Sequence, residues 1–479
     1  MNSAARSNAV IFAVLFFSAM QMIPVALNGY PLVFFDTRGY YNAGEAAVGL
    51  VFGNDNPTTI EEQATTTSQP VEPKVEGVET QANSPQLSLS RSPYYGVLLY
   101  LFYSVSPFLV VALQSLAIAS VAWLTVRSIV QTRPLMAYLA AGAVCMALTP
   151  LPYFAAYLMP DVFSAVVPLG FFLLAWKWST LARSERLWLW LLLSASLLFH
   201  TTHILLAVGL VVFAGVMALW PSLRPSGRGW VVATTAVGAG IFGVVVFGVV
   251  IRIVFGVDPV NPPFLTARGL EDGPVIEMIQ SGCDKFAVCA ADPEVDSESQ
   301  AFLWGPDGLY FDADSATRQR LSEEDLTVFF SAALRYPMMQ ILASLSNSAD
   351  QAVMFGLYDF ATATEVLSRS APNWMPANEL MNFESSAVAN DRFPLNELSV
   401  AVYITVGAAA LALLWLALAG RIPRSATPLL LIVLAVLLGN AILGGALSDA
   451  HHRYQARLIW LVPFLALVLC LDARSTRAT

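Results

Sequence analysis

The chain has 479 residues, enough for two or three soluble domains, but its composition excludes that interpretation. Hydrophobic residues make up 56% of the chain and charged residues only 12%, whereas soluble proteins average about 25% charged residues. The formal net charge is −9, with only 25 Lys and Arg residues, so the chain lacks the cationic surface that a nucleic-acid binder needs. These values indicate an all-α protein that crosses a membrane several times.

Ten apolar segments have the length and composition expected of membrane-spanning helices, which need about 20 residues each. Their apolar runs are too long and continuous for the strands of a membrane barrel. The fifth segment is short, and without it the topology of the following segments would invert. We interpret the first as an uncleaved anchor, because its apolar run is long for a signal peptide and no small-residue cleavage site is evident. The predicted spans are Asn8–Leu27, Phe108–Val130, Leu135–Leu151, Val162–Trp178, Leu187–Phe199, Ile204–Leu219, Trp230–Ile253, Val400–Leu418, Thr427–Leu447 and Leu458–Leu471.

The loops that a ten-span topology with both termini inside would place in the cytoplasm are rich in basic residues and poor in acidic ones. These inner segments carry 12 of the 25 basic residues and two of the 34 acidic residues. Cytoplasmic loops of membrane proteins are enriched in Lys and Arg. The pattern therefore predicts a multi-pass protein of the bacterial inner membrane, with both termini cytoplasmic.

The predicted spans divide the chain into three parts. Residues 1–253 form an N-terminal membrane module of about seven helices, and residues 400–479 form a C-terminal module of about three. The first outer loop, residues 28–106, contains a polar stretch at 54–90 that has almost no aromatic residues, which predicts a disordered insertion. After it, the aromatic segment Tyr94–Tyr103 is too short to span and predicts a helix lying in the membrane interface.

Residues 254–399 form a second outer loop, long enough that we expect a small, mainly helical periplasmic domain. Ser322 is followed by three acidic residues, which predicts a helix N-cap, and Pro337 should end or kink that helix. An oxidising periplasm favours a disulfide between Cys283 and Cys289, with two free thiols as the alternative.

Candidate functional residues collect at the predicted outer ends of the spans. Charges are costly near a bilayer, so those placed there are candidates for function by default. A carboxylate can act as a general base or hold a divalent metal ion, and arginine side chains bind phosphate through two parallel hydrogen bonds. The candidates for catalysis are Asp36 and Asp161, and those for substrate or phosphate binding are Arg38, Tyr40, Arg91, His452, Arg453, Gln455 and Arg457.

Each candidate also has a structural interpretation. Asp36 and Asp161 can simply begin short helices. His200 and His203, in an HxxH pattern, could join the two carboxylates in binding a metal ion or could only line a tight turn. The arginines of the last outer turn could extend their charges to the membrane interface without touching a substrate.

The order of these features resembles the GT-C superfamily of membrane glycosyltransferases, which includes the protein O-mannosyltransferases and the lipid A aminoarabinose transferase. The resemblance rests on the first helix, Asp36 followed by Tyr40 and Tyr41, the element Arg91–Tyr94 before the interfacial helix, and Asp161 in the second outer loop. It covers roughly residues 8–220. Members usually carry an acidic pair in the first outer loop, whereas Thr37 follows Asp36 here.

The resemblance implies a GT-C-like fold, a polyprenyl-phosphate-linked sugar as donor and an inverting transfer with Asp36 as the base. The acceptor would be a glycan, a lipid or a protein on the periplasmic side. No cofactor is implied with certainty, although a divalent metal ion remains open. The alternatives are a transporter or flippase of a lipid-linked saccharide, and a non-catalytic envelope assembly protein. In every case the lipid bilayer is a partner and nucleic acid is not.

Overall fold

A computed structural model describes residues 3–52, 91–255, 260–362 and 371–475. Within these ranges the chain is helical apart from turns, and its one extended pairing is an isolated parallel bridge between Leu32 and Tyr157. The predicted disordered insertion at 54–90 lies outside the described residues.

The described residues of the N-terminal part form eleven α-helices, most of them apolar along their whole length. Short 3₁₀ helices at Pro160–Ala165 and Trp178–Thr180 adjoin α8. The helices are α1 (Ser3–Met20), α2 (Ile23–Asn28), α3 (Phe35–Phe52), α4 (Pro93–Tyr103), α5 (Pro107–Ile129), α6 (Pro134–Leu148), α7 (Leu151–Ala155), α8 (Val166–Lys177), α9 (Arg183–Phe199), α10 (Thr201–Met217) and α11 (Gly227–Phe255).

The rest of the chain begins with short helices and ends with three long apolar segments. Its α-helices are α12 (Phe264–Glu271), α13 (Pro274–Gln280), α14 (Ser299–Trp304), α15 (Leu309–Asp312), α16 (Ser315–Arg335), α17 (Pro337–Val353), α18 (Asp359–Thr362), α19 (Ala377–Glu384), α20 (Leu395–Leu418), α21 (Thr427–Leu447), α22 (His452–Ile459) and α23 (Leu461–Ser475). Three 3₁₀ helices, Ala287–Ala290, Ala371–Asn373 and Val388–Asn390, lie between them.

Seven segments of the described ranges are long and apolar enough to cross a membrane, as in a multi-pass membrane protein. They coincide with seven of the ten predicted spans and are Asn8–Asn28, Pro107–Ile129, Pro160–Thr180, Gly227–Val250, Leu395–Leu418, Thr427–Leu447 and His452–Asp472. The other three predicted spans lie on α6, α9 and α10, which have 15, 17 and 17 residues. At 1.5 Å per residue these helices are about 23 to 26 Å long, shorter than the roughly 30 Å hydrocarbon layer. Ten full-length spans are therefore not confirmed.

The helices of the bundle end on two opposite sides, which differ in the charged residues they carry. At the end that we call the basic end, Arg127 forms a two-fold hydrogen-bonded ion pair with Glu185, and Lys177 donates to the carbonyl of Ser425. The opposite end, which we call the site end, carries Asp36 and Asp161. The predicted inner loops named here thus lie at one end of the bundle, and the two candidate carboxylates lie at the other.

The segment between the two membrane modules contributes to two separate cores. Side chains from α12 to α16 form their own small apolar core, with Leu270, Val275 and Phe302 among the fully buried ones. Later residues such as Leu357 and Trp374 instead join the large core of the bundle. Cys283 and Cys289 are joined by a disulfide, with their Cα atoms 5.3 Å apart. This segment is helical, as the sequence predicts.

The helix that was expected to begin at Ser322 begins two turns earlier, so that N-cap prediction is wrong. The cap is Asp314, whose carboxylate accepts a hydrogen bond from the backbone N–H of Thr317 at 2.8 Å. The predicted break at Pro337 is confirmed, because α16 ends at Arg335 and α17 continues at an angle of 110°. Proline cannot donate the backbone hydrogen bond that would continue α16.

Candidate functional site

A backbone pairing sets the positions of the two candidate carboxylates. The N–H of Leu32 donates to the carbonyl of Ala156, and the N–H of Leu158 donates to the carbonyl of Leu32, both at 2.9 Å. Asp36 lies four residues after Leu32, and Asp161 lies four residues after Tyr157, its partner in the bridge. The pairing therefore carries both carboxylates, which are far apart in the sequence, to the same end of the bundle.

Two glycines allow α3 and α4 to cross at close range beside Asp36. A Cβ atom on Gly44 would lie 2.0 Å from the carbonyl oxygen of Gly96, and one on Gly96 would lie 2.4 Å from the carbonyl oxygen of Tyr40. No side chain fits in that space. The close crossing brings Arg91, just before α4, to the carboxylate of Asp36, with which it forms an ion pair.

Asp36 also receives a second guanidinium group from the far end of the chain. Both terminal nitrogens of Arg453 lie 3.4 Å from Asp36 Oδ2, and the two residues are 417 positions apart in the sequence. The Arg453 guanidinium also stacks on the ring of Phe34, 4.4 Å from its centroid. The Asp36 side chain is only 7% exposed and that of Arg453 only 12%. Arg91 and Arg453 thus share one buried carboxylate.

The charge of Asp36 follows from this arrangement. Burial by itself would raise its pKa, but the positive charges of Arg91 and Arg453 and their hydrogen bonds outweigh burial and hold the pKa of Asp36 below its ordinary value of 3.8. Asp36 is therefore ionised at neutral pH.

A second ion pair lies one helical turn along α22. Arg457 Nη1 is 3.1 Å from Asp161 Oδ1, and both side chains are at most 2% exposed. The same guanidinium donates to Asn440 Oδ1 at 3.2 Å and to Thr202 Oγ1 at 3.3 Å. Because Arg453 and Arg457 are four residues apart, they lie on one face of α22. That face thus meets both candidate carboxylates.

The turn before α22 is held by residues 351–359, which lie in the segment between the two membrane modules. The Gln351 side chain both donates to the carbonyl of His451 at 2.8 Å and accepts from its N–H at 2.9 Å. Asp359 accepts from the N–H of Arg453 at 2.8 Å, and His452 Nδ1 accepts from the N–H of Gly356 at 3.1 Å. These contacts fix the start of α22 and hence the position of the Arg453 side chain.

Five predicted site residues come together in the two ion-pair groups, namely Asp36, Arg91, Asp161, Arg453 and Arg457. Arg38 is half-buried and makes no hydrogen bond or ion pair with the residues that the structure describes. Gln455 is turned toward α21, where it donates to the carbonyl of Leu437 and accepts from Asn440.

Tyr40 and His452 lie beside the ion pairs without joining them. The Tyr40 ring packs edge-on against Tyr95, with ring centroids 5.2 Å apart, and burial raises the pKa of its hydroxyl, which stays protonated. His452 packs on Tyr358 at 4.9 Å. Both help to hold α3 and α22 in place.

The predicted metal candidates do not form a shared set of ligands. Asp36 and Asp161 each face a guanidinium group, His203 donates from Nδ1 to the carbonyl of Ser196 at 2.7 Å, and His200 pairs with Thr202. In the described ranges no group of three or more His, Cys, Asp and Glu side chains is arranged to hold a metal ion. The donor set therefore does not fit the divalent ion that the resemblance leaves open.

Three residues of the site were not foreseen from the sequence. Asn440 lies in an otherwise apolar span, and a polar residue in a span is a signal for function that could have identified it. Asp359 and Gln351 lie in the loop segment, where polar residues are ordinary and no sequence signal distinguishes them.

The arrangement offers an ionised carboxylate and three guanidinium groups at the site end of the bundle. A cavity of about 270 Å³ opens elsewhere, toward the basic end, and is lined by Val14, Ser120, Trp123, Leu124, Ser184, Glu185 and Trp188. None of the candidate residues lines that cavity. Guanidinium groups contact both Asp36 and Asp161, so a ligand that binds either carboxylate would compete with them.

Comparisons of the chain with protein-family models, with curated proteins and with solved structures find no match. The site is therefore interpreted from its geometry and charges.

Proposed function

We propose that this protein is a membrane glycosyltransferase that moves a sugar from a polyprenyl-phosphate donor to an acceptor hydroxyl. The observation that carries the proposal is the sharing of buried Asp36 by Arg91 and Arg453. A polyprenyl phosphodiester keeps its isoprenoid chain in the bilayer and its phosphate at the interface. Guanidinium groups at the ends of membrane helices are suited to bind that phosphate.

Asp36 would act on the acceptor. With its pKa below the ordinary value, it is a weak base while two guanidinium groups hold it. A donor phosphate that draws Arg453 toward itself would leave Asp36 less compensated and more basic. Binding of the donor would thus prepare the base for the acceptor hydroxyl.

The transfer itself needs no further group. The acceptor oxygen attacks the anomeric carbon and forms the new C–O bond, while its proton passes to Asp36. The bond from the anomeric carbon to the phosphate oxygen breaks, and the polyprenyl phosphate leaves with an additional negative charge. Arg91 and Arg453 would stabilise that charge, as preorganised cations do for developing anions. Attack opposite the leaving group inverts the anomeric configuration.

Phosphate binding is tested with decaprenyl phosphate and the purified protein in lipid nanodiscs. Arg453→Ala should weaken binding about tenfold or more, since a hydrogen bond to a charged group contributes about 1.5–3 kcal/mol. Asp36→Asn should retain or tighten binding, because it removes the carboxylate that competes with the phosphate for these guanidinium groups. Arg421→Ala is the matched control, since Arg421 stacks on Trp415 at the basic end. Equal binding by wild type and Arg453→Ala would contradict the proposal.

Transfer is tested in cells that lack the chromosomal copy, by comparing surface glycans after complementation. Asp36→Asn should abolish the glycan modification while the protein remains inserted and binds decaprenyl phosphate. Full glycan output from both Asp36→Asn and Arg453→Ala would favour the non-catalytic assembly role. Accumulation of unflipped lipid-linked saccharide on the cytoplasmic face would instead favour a transporter.

A further inference from the structure

The outer face of the bent pair formed by α16 and α17, which we call the elbow, is apolar. Its side chains include Phe330, Leu334, Met338, Ile341, Leu342 and Leu345, all of which are more than half exposed. Within each helix they recur at intervals of one, three or four residues, so each helix presents them on one side. An apolar surface of this extent is uncommon on an aqueous domain and marks a contact surface.

Three polar side chains of α17 point the other way, into the protein, whereas Ser346 and Asp350 toward its end are exposed. Gln340 and Asn347 both donate to the carboxylate of Asp272 at 2.8 Å, and Gln351 binds the backbone of His451. In a water-soluble protein an amphipathic helix has the opposite arrangement, with its apolar side inward. This inverted polarity fits a helix whose outer surroundings are lipid.

α17 packs directly on a membrane span. A Cβ atom on Gly445 of α21 would lie 2.4 Å from the carbonyl oxygen of Asn347, so the two helices cross at backbone contact. Small residues at such crossings are typical of helices packed in membranes. α21 exposes Leu434, Leu438 and Ile442 on its own surface, so the elbow extends an apolar surface that belongs to a span.

The end of α17 contacts α20, another apolar span, partway along its length. The hydroxyl of Tyr403 donates to the carbonyl of Val353 at 3.0 Å, and its ring packs on Phe355. Tyr403 lies eight residues after Leu395, where α20 begins, which corresponds to about 12 Å along the helix axis. The chain then returns, since the N–H of Leu357 donates to Ser399 Oγ, nearer the start of α20.

We propose that the elbow is a re-entrant element, with its apolar face in the acyl chains of the leaflet at the site end of the bundle. An 18-residue stretch within the two helices is as apolar as a membrane span, but the 110° bend between them prevents a straight crossing. The proposal thus places a lipid-contacting surface within the segment 254–399. This inference does not depend on the proposed glycosyl transfer.

The experiment places an environment-sensitive fluorophore (NBD) on single cysteines in the full-length protein, reconstituted in phosphatidylcholine vesicles. The test positions are Leu342→Cys and Leu345→Cys, in a background with Cys145 and Cys470 replaced by alanine. Leu438→Cys on α21 is the lipid-exposed control. Glu323→Cys, on the polar side of α16, is the water-exposed control, because Glu323 is exposed to solvent.

Both elbow labels should be quenched by doxyl-labelled phospholipid as strongly as the label at Leu438→Cys. Iodide in the aqueous phase should quench them several-fold less than the label at Glu323→Cys. Iodide quenching equal to that at Glu323→Cys would overturn the proposal by placing the elbow in water. Protection from both quenchers would also overturn it, since a second copy or another protein would then cover the surface.

Discussion

At Asp36 one buried carboxylate pairs with two guanidinium groups, and its removal would leave both cations together. Breaking a buried ion pair by removing one partner costs about 3–5 kcal/mol, far more than loss of an exposed pair. Asp36 is therefore expected to contribute to the stability of the fold, in addition to being a candidate for chemistry.

We expect Asp36→Asn to lower the free energy of unfolding by about 3 kcal/mol, because Arg91 and Arg453 would lose the buried carboxylate that they share. Thermal unfolding of the purified protein in detergent measures the loss. The matched control is Glu185→Gln, whose partner Arg127 is one-third exposed, so this change should cost at most about 1 kcal/mol. Similar losses in the two variants would contradict the assignment of Asp36 to a buried pair.

The same variant has a pH signature. Since the folded-state pKa of Asp36 is lowered, its stabilisation is fully present above the ordinary carboxyl pKa of 3.8 and is lost as the pH falls through the lower folded value. The difference in melting temperature between wild type and Asp36→Asn should stay constant from about pH 8 to pH 5 and shrink only in stronger acid. A difference that closes near neutral pH would be inconsistent with the lowered pKa.

At the residue scale, the sequence predicted which side chains matter better than it predicted how they pair. Asp36, Asp161, Arg453 and Arg457 were identified because each is a charge at the end of a span. Their pairing could not be deduced, because it depends on the Leu32–Tyr157 bridge and on the direction of α22, both of which are tertiary features. Gln455 shares a helix turn with the arginines but faces α21, and no sequence pattern distinguished that direction.

At the scale of elements, α3 and α4 cross closely because Gly44 and Gly96 have no Cβ atom at the point of contact. We expect Gly44→Ala or Gly96→Ala to separate the helices, weaken the ion pair of Asp36 with Arg91 and lower stability by about 2 kcal/mol or more.

Gly49→Ala is the control on the same helix, because a Cβ atom there meets nothing within 4 Å. It should be neutral or stabilise the protein by up to about 1 kcal/mol, since alanine favours helix. Melting temperatures of the three variants test the crossing. An unchanged melting temperature for Gly44→Ala would show that the two helices are not in backbone contact.

Two places in the sequence resemble the start of α16, and the prediction chose the wrong one. The acidic run after Ser322 resembles a helix start, yet Asp314 caps the helix earlier and the intervening turns are held by pairs such as Arg320 with Glu324. The predicted span on α6 extended three residues past the helix end at Leu148, beyond Thr149, which has extended backbone, and the one on α10 extended two residues past Met217. The predicted span on α9 ended with the helix at Phe199, and His200 after it has extended backbone.

At the scale of the whole molecule, the separation of basic loops from the carboxylate site predicts the orientation in the membrane. Gln319→Cys in the loop domain should react with a membrane-impermeant maleimide added to intact bacterial cells. Ser222→Cys, in the turn between α10 and α11 at the basic end, should react only after permeabilisation. Both positions are solvent-exposed. The reverse pattern would place the site end in the cytoplasm and exclude a periplasmic transfer.

The position of α22 in the chain has a consequence for biogenesis. α22 follows every other segment of the site in chain order, so Arg453 and Arg457 leave the ribosome after Asp36 and Asp161 have already been synthesised. Until then Asp161 lacks its guanidinium partner at a position where the finished protein excludes water. A chain interrupted before α22 would therefore carry an uncompensated acid among its membrane helices, a defect that membrane proteases and insertion chaperones could recognise. Asp161 therefore gains its guanidinium partner only after α22 has been synthesised.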